Sequence, residues 1–499
     1  MQVQPTKSGR GRSRRRDTNE GLRAWLAIID GILAAIEQVV WDAREAGERT
    51  WLRTRRVPKR VRRLAATGWC LTKIAASYRL HVTRSAFVSR ARAARQLEGL
   101  HRTNARRFYE LSANHGGAFL KVGQLLSARA DLLPAAWVEE LSQLQDQAPT
   151  VPFADLRQTL EEELGRPLDA AFTTFDETPI AAASIGQVHR ATTLDGRSVA
   201  VKVRRPGIEA LVESDLDLLE AFIEAMHDSL PPADWETIVP EIRSMVALEL
   251  DYARELQTMG RLGDHLSQLE GIRAPEPIEA LSSARVLASS FEEGRRVTTA
   301  LDELREAGET ERVALILGRM LEAYVSQVLE AGVFQADPHP GNFLVAADDE
   351  LIVLDFGCAK ELPDEVRDRY VQLVQAFMLS NTPRATELLA ELGFETQSGR
   401  PDTLDAFADA MLRHFRQGAL SGEMSFPDRE AVLGQMRGLL HASEDDPVTR
   451  VPDHFVMLGR VFGTLGGLFL HYRPTLDYTR HVLPAFSRAL LGGPTQGQR

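Results

Sequence analysis

The most constraining segment of this chain is FQADPHPGNFLVAADDELIVLDFG, residues 334–357. It places Asp337, Asn342 and Asp355 in the order D-x4-N-x12-D, and the last of them opens an Asp-Phe-Gly sequence after an apolar strand-like run. Mg²⁺ prefers hard oxygen ligands and takes one or two carboxylates together with phosphates, so an Asp combined with an Asn suits it. The purely structural alternative is a Pro/Gly-rich turn followed by the end of a strand.

The same three residue types carry phosphoryl transfer in protein kinases. There, one carboxylate orients the attacking group, an amide oxygen holds one Mg²⁺, and a second carboxylate bridges the metals at the phosphates. The spacing therefore predicts Asp337 as the catalytic residue and Asn342 and Asp355 as the metal ligands. The cofactors that this interpretation predicts are ATP and Mg²⁺.

Length and composition indicate a soluble globular protein of two or three domains. The chain has 499 residues, of which 44% are hydrophobic and 26% charged. Its two cysteines, Cys70 and Cys358, provide neither a disulfide framework nor a zinc site, which favours a reducing cytoplasm.

Charge is distributed unevenly. Residues 1–110 carry 25 Lys/Arg against 9 Asp/Glu, a net charge of +16, whereas the remaining residues carry a net charge of −27. A basic segment on an acidic body predicts an anionic partner, either a membrane surface or nucleic acid. No regular interleaving of aromatic residues supports base stacking, so nucleic acid is the less favoured partner. Docking of the basic segment on the acidic body is the structural alternative.

Two apolar runs are the candidates for membrane spans. Residues 24–41 contain Asp30 and Glu37 and predict a helix with a narrow polar stripe, which packs on protein or lies in a membrane interface. Residues 461–470 are about half as long as a spanning helix. The basic start is not followed by the apolar core of a secretory signal. The sequence therefore predicts no transmembrane helix.

From residue 171 the pattern becomes β-rich, with Asp195-Gly196 as the tight turn of a hairpin. VAVK matches the kinase strand whose lysine contacts the α/β-phosphates, which makes Lys202 the candidate. The preceding turn takes the place of the glycine-rich phosphate loop. Here it is the Ala-rich loop, consisting of Ala181, Ala182, Ala183, Ser184, Ile185, Gly186 and Gln187. Only Gly186 keeps full backbone freedom, so we expect a stiffer loop.

Helical patterns flank the β-rich part. The segment 114–146 predicts a helical stretch in which Lys121 and Gln124 share a face. Two helices are predicted at 208–229 and 236–266, and the second must supply the glutamate that pairs with the strand lysine in a kinase fold. The remainder, 300–490, is predicted to be helical apart from the catalytic segment.

Together these motifs resemble the AarF/UbiB family of atypical protein-kinase-like proteins over about residues 111–475. The resemblance is carried by KVGQ at 121–124, AAASIGQVHRA at 181–191, VAVKVRRPG at 199–207, ELD at 249–251, and DPHPGN with DFG. It implies an α+β, two-lobed protein-kinase-like fold with an N-terminal helical extension, and Mg-ATP bound between the lobes.

The resemblance also implies residue roles. Lys202 would contact the phosphates and pair with Glu255, which joins Asp337 as a catalytic residue. Lys121 and Gln124 would lie on the helical extension that covers the substrate groove, with Glu249 and Asp251 nearby and Glu249 as the partner of Lys121. Together with the Ala-rich loop, these residues would form the nucleotide site.

Two positions depart from the family pattern. Ser290 stands where an acidic residue usually precedes the hinge aromatic, and Thr258 stands where an Asn often follows the helix glutamate. The first departure bears on the adenine-side contacts, and neither touches the metal ligands.

The predicted domains are a basic tail (1–20), a basic helical region (21–110), the helical extension (111–170), the small lobe (171–294), the helical lobe (295–490) and a tail (491–499). The expected function is an ATP-dependent phosphotransferase or ATPase that supports isoprenoid quinone biosynthesis or membrane lipid homeostasis. Expected partners are an anionic membrane, a lipid-like or quinone substrate and quinone-biosynthesis enzymes, at the cytoplasmic face of the membrane. The alternatives are a nucleotide-gated binding module without turnover and a small-molecule kinase.

Overall fold

A computed structural model describes residues 56–85, 87–127, 133–144, 150–226, 235–400, 403–406, 408–409, 423–425, 446 and 448–492. The chain divides into two compact units. One contains residues 56–191 with 202–250, and the other contains residues 192–201 with 251–492. The basic tail at 1–20 and the apolar run at 24–41 lie outside the described residues.

The first unit is mainly helical. Its elements are α1 (Arg56–Ser85), α2 (Arg90–His115), α3 (Gly117–Ser127), α4 (Ala135–Ser142), α5 (Phe153–Leu164), β1 (Phe172–Phe175), β2 (Ala181–Ala182), β3 (Gly186–Thr193), β4 (Ser198–Arg204), α6 (Ile208–Met226) and α7 (Trp235–Glu249). The last two residues of β3 and the first four of β4 belong to the second unit. In its sheet, β3 has β1 and β4 as neighbours and also pairs with β2.

Aromatic side chains join α2, α3 and α4. The Phe108 ring lies 5.9 Å from the Phe119 ring and 5.8 Å from the Trp137 ring, between centroids. A Cβ built on Gly123 would lie 2.4 Å from Cδ1 of Leu144, closer than a real Cβ can approach. The glycine of the KVGQ motif is therefore closely packed, and a larger residue there would displace the Leu144 side chain.

The second unit contains α8 (Tyr252–Leu266), β5 (Ile272–Arg273), β6 (Val286–Ser290), β7 (Arg295–Arg296), α9 (Val297–Glu306), α10 (Thr310–Ser326), β8 (Val333–Gln335), β9 (Phe343–Val345), β10 (Leu351–Val353), β11 (Ala359–Glu361), α11 (Asp364–Met378), α12 (Thr382–Glu391), β12 (Glu395–Thr396), β13 (Glu423–Ser425), β14 (Val448–Arg450), α13 (Asp453–Tyr472), β15 (Thr475–Asp477), α14 (Tyr478–His481) and α15 (Leu483–Gly492). Its four-stranded sheet has the order β5-β10-β9-β7, and β11 pairs with β8. Residues 198–201 of β4 belong to this unit, and the amide of Phe291, just after β6, donates to the carbonyl of Ser198 over 3.0 Å.

The mixed helix-and-sheet architecture of a kinase-like protein is confirmed. The expectation that 300–490 is helical outside the catalytic segment is wrong in part, because β12 pairs with β14 and β13 pairs with β15. These strands are two or three residues long, too short for an alternating hydrophobic pattern to reveal them. The predicted domain boundaries stay predictions.

One helix bears on the membrane question. The ten-residue apolar run at 461–470 lies within α13, which is 20 residues long. Among the described residues, α13 alone is long and apolar enough to cross a membrane, and 29% of its apolar stretch is buried. This finding rests on length and composition, and the core helix of a soluble protein meets the same criteria. The expectation of no transmembrane helix stays a prediction.

Candidate active site

A short hairpin in the second unit brings the two predicted metal ligands together. In the antiparallel pair β9–β10, Phe343 is opposite Val353, and the amide of Leu354 donates to the carbonyl of Asn342 over 2.9 Å. Asn342 therefore immediately precedes one strand at the same end of the hairpin where Asp355 follows the other. Seven buried residues make up most of this hairpin, which fixes the end that carries both oxygen ligands: Phe343, Val345, Ala346, Asp349, Leu351, Ile352 and Val353.

The backbone at Asp337 is tied to the same point. The Asn342 side chain donates through Nδ2 to the carbonyl of Asp337 over 3.1 Å. This bond uses the nitrogen of the side-chain amide, so Oδ1 is the atom suited to a metal ion. The intervening residues Pro340–Asn342 form a 3₁₀ turn that Pro initiates. All three site side chains are half-buried, accessible to a ligand yet held by a rigid scaffold.

A buried hydrogen-bond relay that the sequence analysis missed supports Asp355 from behind. Tyr324 donates its hydroxyl to the Gln335 side chain, and Gln335 donates through Nε2 to the carbonyl of Asp355. The amide of Gln335 donates to Oε1 of Gln327 over 2.9 Å. Gln335 and Tyr324 are 1% and 0% exposed, so their polar groups depend on these protein partners instead of water. The available signal was a polar Gln335 inside the apolar strand β8.

Electrostatics place both carboxylates near Tyr324. Burial raises the pKa of the Tyr324 hydroxyl well above its ordinary value, and the negative charges of Asp337 and Asp355 raise this pKa further. The hydroxyl therefore remains a neutral donor at physiological pH. Asp355 also accepts a 2.9 Å bond from the amide of Gly357, which fixes the carboxylate on the Asp-Phe-Gly turn.

The helix α8 brings Glu255 to the same turn. A Cβ built on Gly357 would lie 3.4 Å from a carboxylate oxygen of Glu255 and 3.4 Å from one of Asp355, so Glu255 packs directly on the Asp-Phe-Gly backbone. Arg254 donates to the carbonyl of Ala359 over 3.0 Å and ties α8 to strand β11. Asp251 caps α8 by accepting from the amide of Arg254 over 3.0 Å, a structural use of this predicted binding residue.

Ser290, the first departure from the family pattern, is held by hydrogen bonds. The Ser290 hydroxyl donates to Glu292 over 2.6 Å and accepts from the amide of Glu276 over 2.8 Å. Glu292 in turn forms an ion pair with Arg273. Ser290 therefore links the backbone at Glu276 to a carboxylate two residues further along the chain. Thr258, the other departure, donates its hydroxyl to the carbonyl of Arg254 within α8.

The remaining predicted residues lie in the first unit. Lys202 is a half-buried residue of β4. The Ala-rich loop forms a tight turn in which the amide of Ala183 donates to the carbonyl of Gly186 over 2.9 Å. The predicted pairing of Lys202 with Glu255 joins residues of different units and stays a prediction.

The predicted partners Lys121 and Glu249 form an ion pair within the first unit. Their side chains are only 8% and 13% exposed. Gln124 donates through Nε2 to the carbonyl of Leu144 over 3.0 Å, so it fixes the segment that follows α4. The structure thus brings Lys121 and Glu249 together and gives Gln124 a local structural contact.

The donor set fits Mg²⁺ that arrives with phosphates. Within the part of the chain that the structure describes, no three His, Cys, Asp or Glu side chains cluster closely enough to hold a metal ion. Asn342 and Asp355 supply one amide oxygen and one carboxylate from the end of one hairpin. Mg²⁺ keeps most of its coordination for water and phosphate oxygens, so two protein ligands are an appropriate number.

Comparisons with known proteins identify the family of the chain. Residues 143–389 match the ABC1 atypical kinase-like domain. The chain is 32% identical over 371 residues to the chloroplast protein ACTIVITY OF BC1 COMPLEX KINASE 7 of Arabidopsis thaliana, covering 74% of this chain and 52% of that protein. It is 32% identical over 299 residues to AarF domain-containing protein kinase 1 of Xenopus laevis, covering 59% and 57%.

A solved structure supports the fold. Rv3197 from Mycobacterium tuberculosis, determined in complex with erythromycin, superposes with a TM-score of 0.55 over 83% of this chain and 99% of that one, at 24% identity. At that identity the likeness concerns the fold alone.

Fold and motifs together define an atypical kinase-like protein. The chain belongs to the ABC1 atypical kinase-like family. Some of its relatives are named AarF domain-containing protein kinases, so the predicted AarF/UbiB resemblance is confirmed. The chain spans only about half to two thirds of the length of the curated relatives it matches.

Proposed function

We propose that this protein binds Mg-ATP and acts as a phosphotransferase or ATPase. The observation that carries the proposal is the β9–β10 hairpin, which sets Asn342 and Asp355 at one end and ties the Asp337 backbone to Asn342. A hairpin with this donor set is suited to a metal–phosphate complex rather than to a bare metal ion.

The proposed roles follow from the side-chain chemistry. Asn342 and Asp355 would hold Mg²⁺, which neutralises charge on the phosphates when it is bound. Lys202 would contact the α/β-phosphates and pair with Glu255. Asp337 would accept the proton of the attacking hydroxyl or water as it orients that group.

The proposed setting is the cytoplasmic face of a membrane. A basic amino-terminal region with a net charge of +16 would bind anionic lipid, and the acceptor would be water or a small lipid-like or quinone molecule. Support of quinone-biosynthesis enzymes or lipid homeostasis is the pathway-level form of this proposal. It rests on the family resemblance.

A nucleotide-gated binding module is the second candidate. The observations that favour it are the buried Lys121–Glu249 pair and the closed turn of the Ala-rich loop, both of which restrict motion in the first unit. In that case nucleotide occupancy would change conformation without useful turnover.

Phosphate release from Mg-ATP tests the proposal, with anionic and with zwitterionic liposomes. Asp355→Asn should abolish release, whereas Asp348→Asn should behave as wild type. Asp348 is a matched control because it is an exposed aspartate in the turn of the same hairpin. Tight Mg-nucleotide binding without release would favour the binding module, and neither binding nor release would overturn the proposal.

The membrane setting has its own test. Binding to anionic liposomes should be lost in about 1 M salt, since screening removes surface electrostatics. Deletion of residues 1–55, which ends before α1 begins, removes a net charge of +4 and should weaken this binding without abolishing it, because residues 56–110 keep a net charge of +12. Binding that survives about 1 M salt would contradict a role for the basic region.

A further inference from the structure

The Ala-rich loop, Ala181–Gln187, is anchored through its carbonyl groups. Ala181 and Ala182 pair with Val188 and Gln187, and the loop closes on itself at Ala183. Three successive carbonyls at its tip then accept hydrogen bonds from residues outside the loop.

Arg205 supplies two of those three bonds. Its guanidinium donates through Nη2 to the carbonyl of Ala183 over 2.8 Å, and its amide donates to the carbonyl of Ile185 over 2.9 Å. The third bond, 3.3 Å long, runs from the amide of Gly117, at the start of α3, to the carbonyl of Ser184. Arg205 is 8% exposed, so these bonds are shielded from water.

Fixing a carbonyl also fixes the next amide. In a trans peptide the C=O of one residue and the N–H of the following residue point in opposite directions. The carbonyls of 183, 184 and 185 are held toward Arg205 and α3. The amides of Ser184, Ile185 and Gly186 are therefore directed to the other side of the loop. Successive backbone amides presented on one side are a means of binding phosphate oxygens.

We propose that Arg205 is a positioning residue for phosphate binding, which holds the Ala-rich loop so that its tip amides face the nucleotide phosphates. This inference rests on the proposed Mg-ATP function. In this chain the loop contains a single glycine, Gly186, so most of its backbone adapts less freely and an external anchor sets the direction of its amides.

The adjacent residue, Arg204, provides a matched control. Arg204 is also basic and also near the end of β4, but its guanidinium bonds the carbonyl of Leu250 and the carboxylate of Glu209, away from the loop. A cavity of about 340 Å³ adjoins Arg205 and Gly117. A shorter side chain at 205 therefore borders existing space, which favours folding of the variant.

The test compares Arg205→Gln with Arg204→Gln in the full chain, using Mg-ADP and adenosine as probes. Arg205→Gln should weaken Mg-ADP binding by at least about tenfold, because the loop amides would no longer be held in position to donate to the charged phosphates. It should leave adenosine binding within about twofold of wild type, because adenosine has no phosphates. Hydrogen exchange of the loop amides should speed up in this variant and not in Arg204→Gln.

The outcomes separate this inference from the proposed function. Mg-ADP binding that Arg205→Gln leaves unchanged, or that falls in parallel with adenosine binding, would overturn the inference alone. A wild-type protein that binds no Mg-ADP would overturn the proposed function and this inference with it. If Arg205→Gln does not fold, Arg205→Lys serves instead. It keeps the backbone bond to Ile185 and should show a smaller loss, confined to phosphate-bearing ligands.

Discussion

Breaking the buried ion pair of the KVGQ helix should cost much of the stability of the first unit. Lys121 and Glu249 are 8% and 13% exposed in their side chains, and they join α3 to the end of α7. Lys121→Met would leave a buried carboxylate without its cation. Removal of one partner of such a pair typically costs about 3–5 kcal/mol.

The loss in free energy of unfolding comes from breaking the pair and not from changing either residue by itself. Glu249→Gln should also be costly, since it leaves the ammonium group buried alone. The double variant Lys121→Met/Glu249→Gln should cost little more than either single change, because the uncompensated charge is gone. We therefore expect a coupling free energy slightly below the cost of one single change, about 2–4 kcal/mol.

Urea unfolding followed by tryptophan fluorescence measures this cycle, and the half-buried Trp137, packed against Phe108, reports from the same unit. The exposed lysine of α1 provides the control, since Lys73→Met should change the free energy of unfolding by less than about 0.5 kcal/mol. Strictly additive effects of the two single changes would refute the reasoning.

Three further predictions concern other parts of the fold. Burial raises the pKa of Asp215 to about 6 from 3.8, so the stability that it contributes is present below pH 4 and lost as pH rises through 6. Relative to wild type, the free energy of unfolding of Asp215→Asn, measured by urea titration, should therefore rise by about 3 kcal/mol between pH 4 and 6. A variant whose pH profile runs parallel to that of wild type would contradict this. Gln335→Glu cannot donate to the carbonyl of Asp355, and it should raise the Mg²⁺ concentration at half-maximal nucleotide binding by about 10–100-fold; an unchanged Mg²⁺ requirement would show that the relay is only structural. Gly123→Ala should destabilise by about 1–3 kcal/mol through overpacking, whereas Gly99→Ala, in open space on α2, should be neutral or stabilising in the same melts, and equal effects would contradict the packing argument.

The local part of the site could be predicted from sequence because it is a hairpin. Asn342 and Asp355 are separated by two short strands and a turn, so their spacing nearly determines that they meet. The Lys121–Glu249 pair is more distant in sequence. It was expected from the family resemblance together with the cost of burying an unpaired ammonium group.

The supporting contacts could not be predicted in this way. Arg205 reaches back to Ala183, and Arg63 reaches Asp215 over 2.6 Å across 152 positions of sequence. Neither pair follows a helical or strand period, so only tertiary packing determines them. Gln335 was visible as a polar residue in an apolar strand, but its two partners depend on how β8 lies against α10 and the Asp-Phe-Gly turn.

Calorimetric titration of ADP with Mg²⁺ and with EDTA tests the central claim most directly. We predict that Mg²⁺ strengthens ADP binding to the wild-type protein and to Asp348→Asn, and that this gain disappears in Asp355→Asn. ADP binding that is equally tight with EDTA, or a Mg²⁺ gain that persists in Asp355→Asn, would contradict the assignment of the β9–β10 hairpin as the metal–phosphate site.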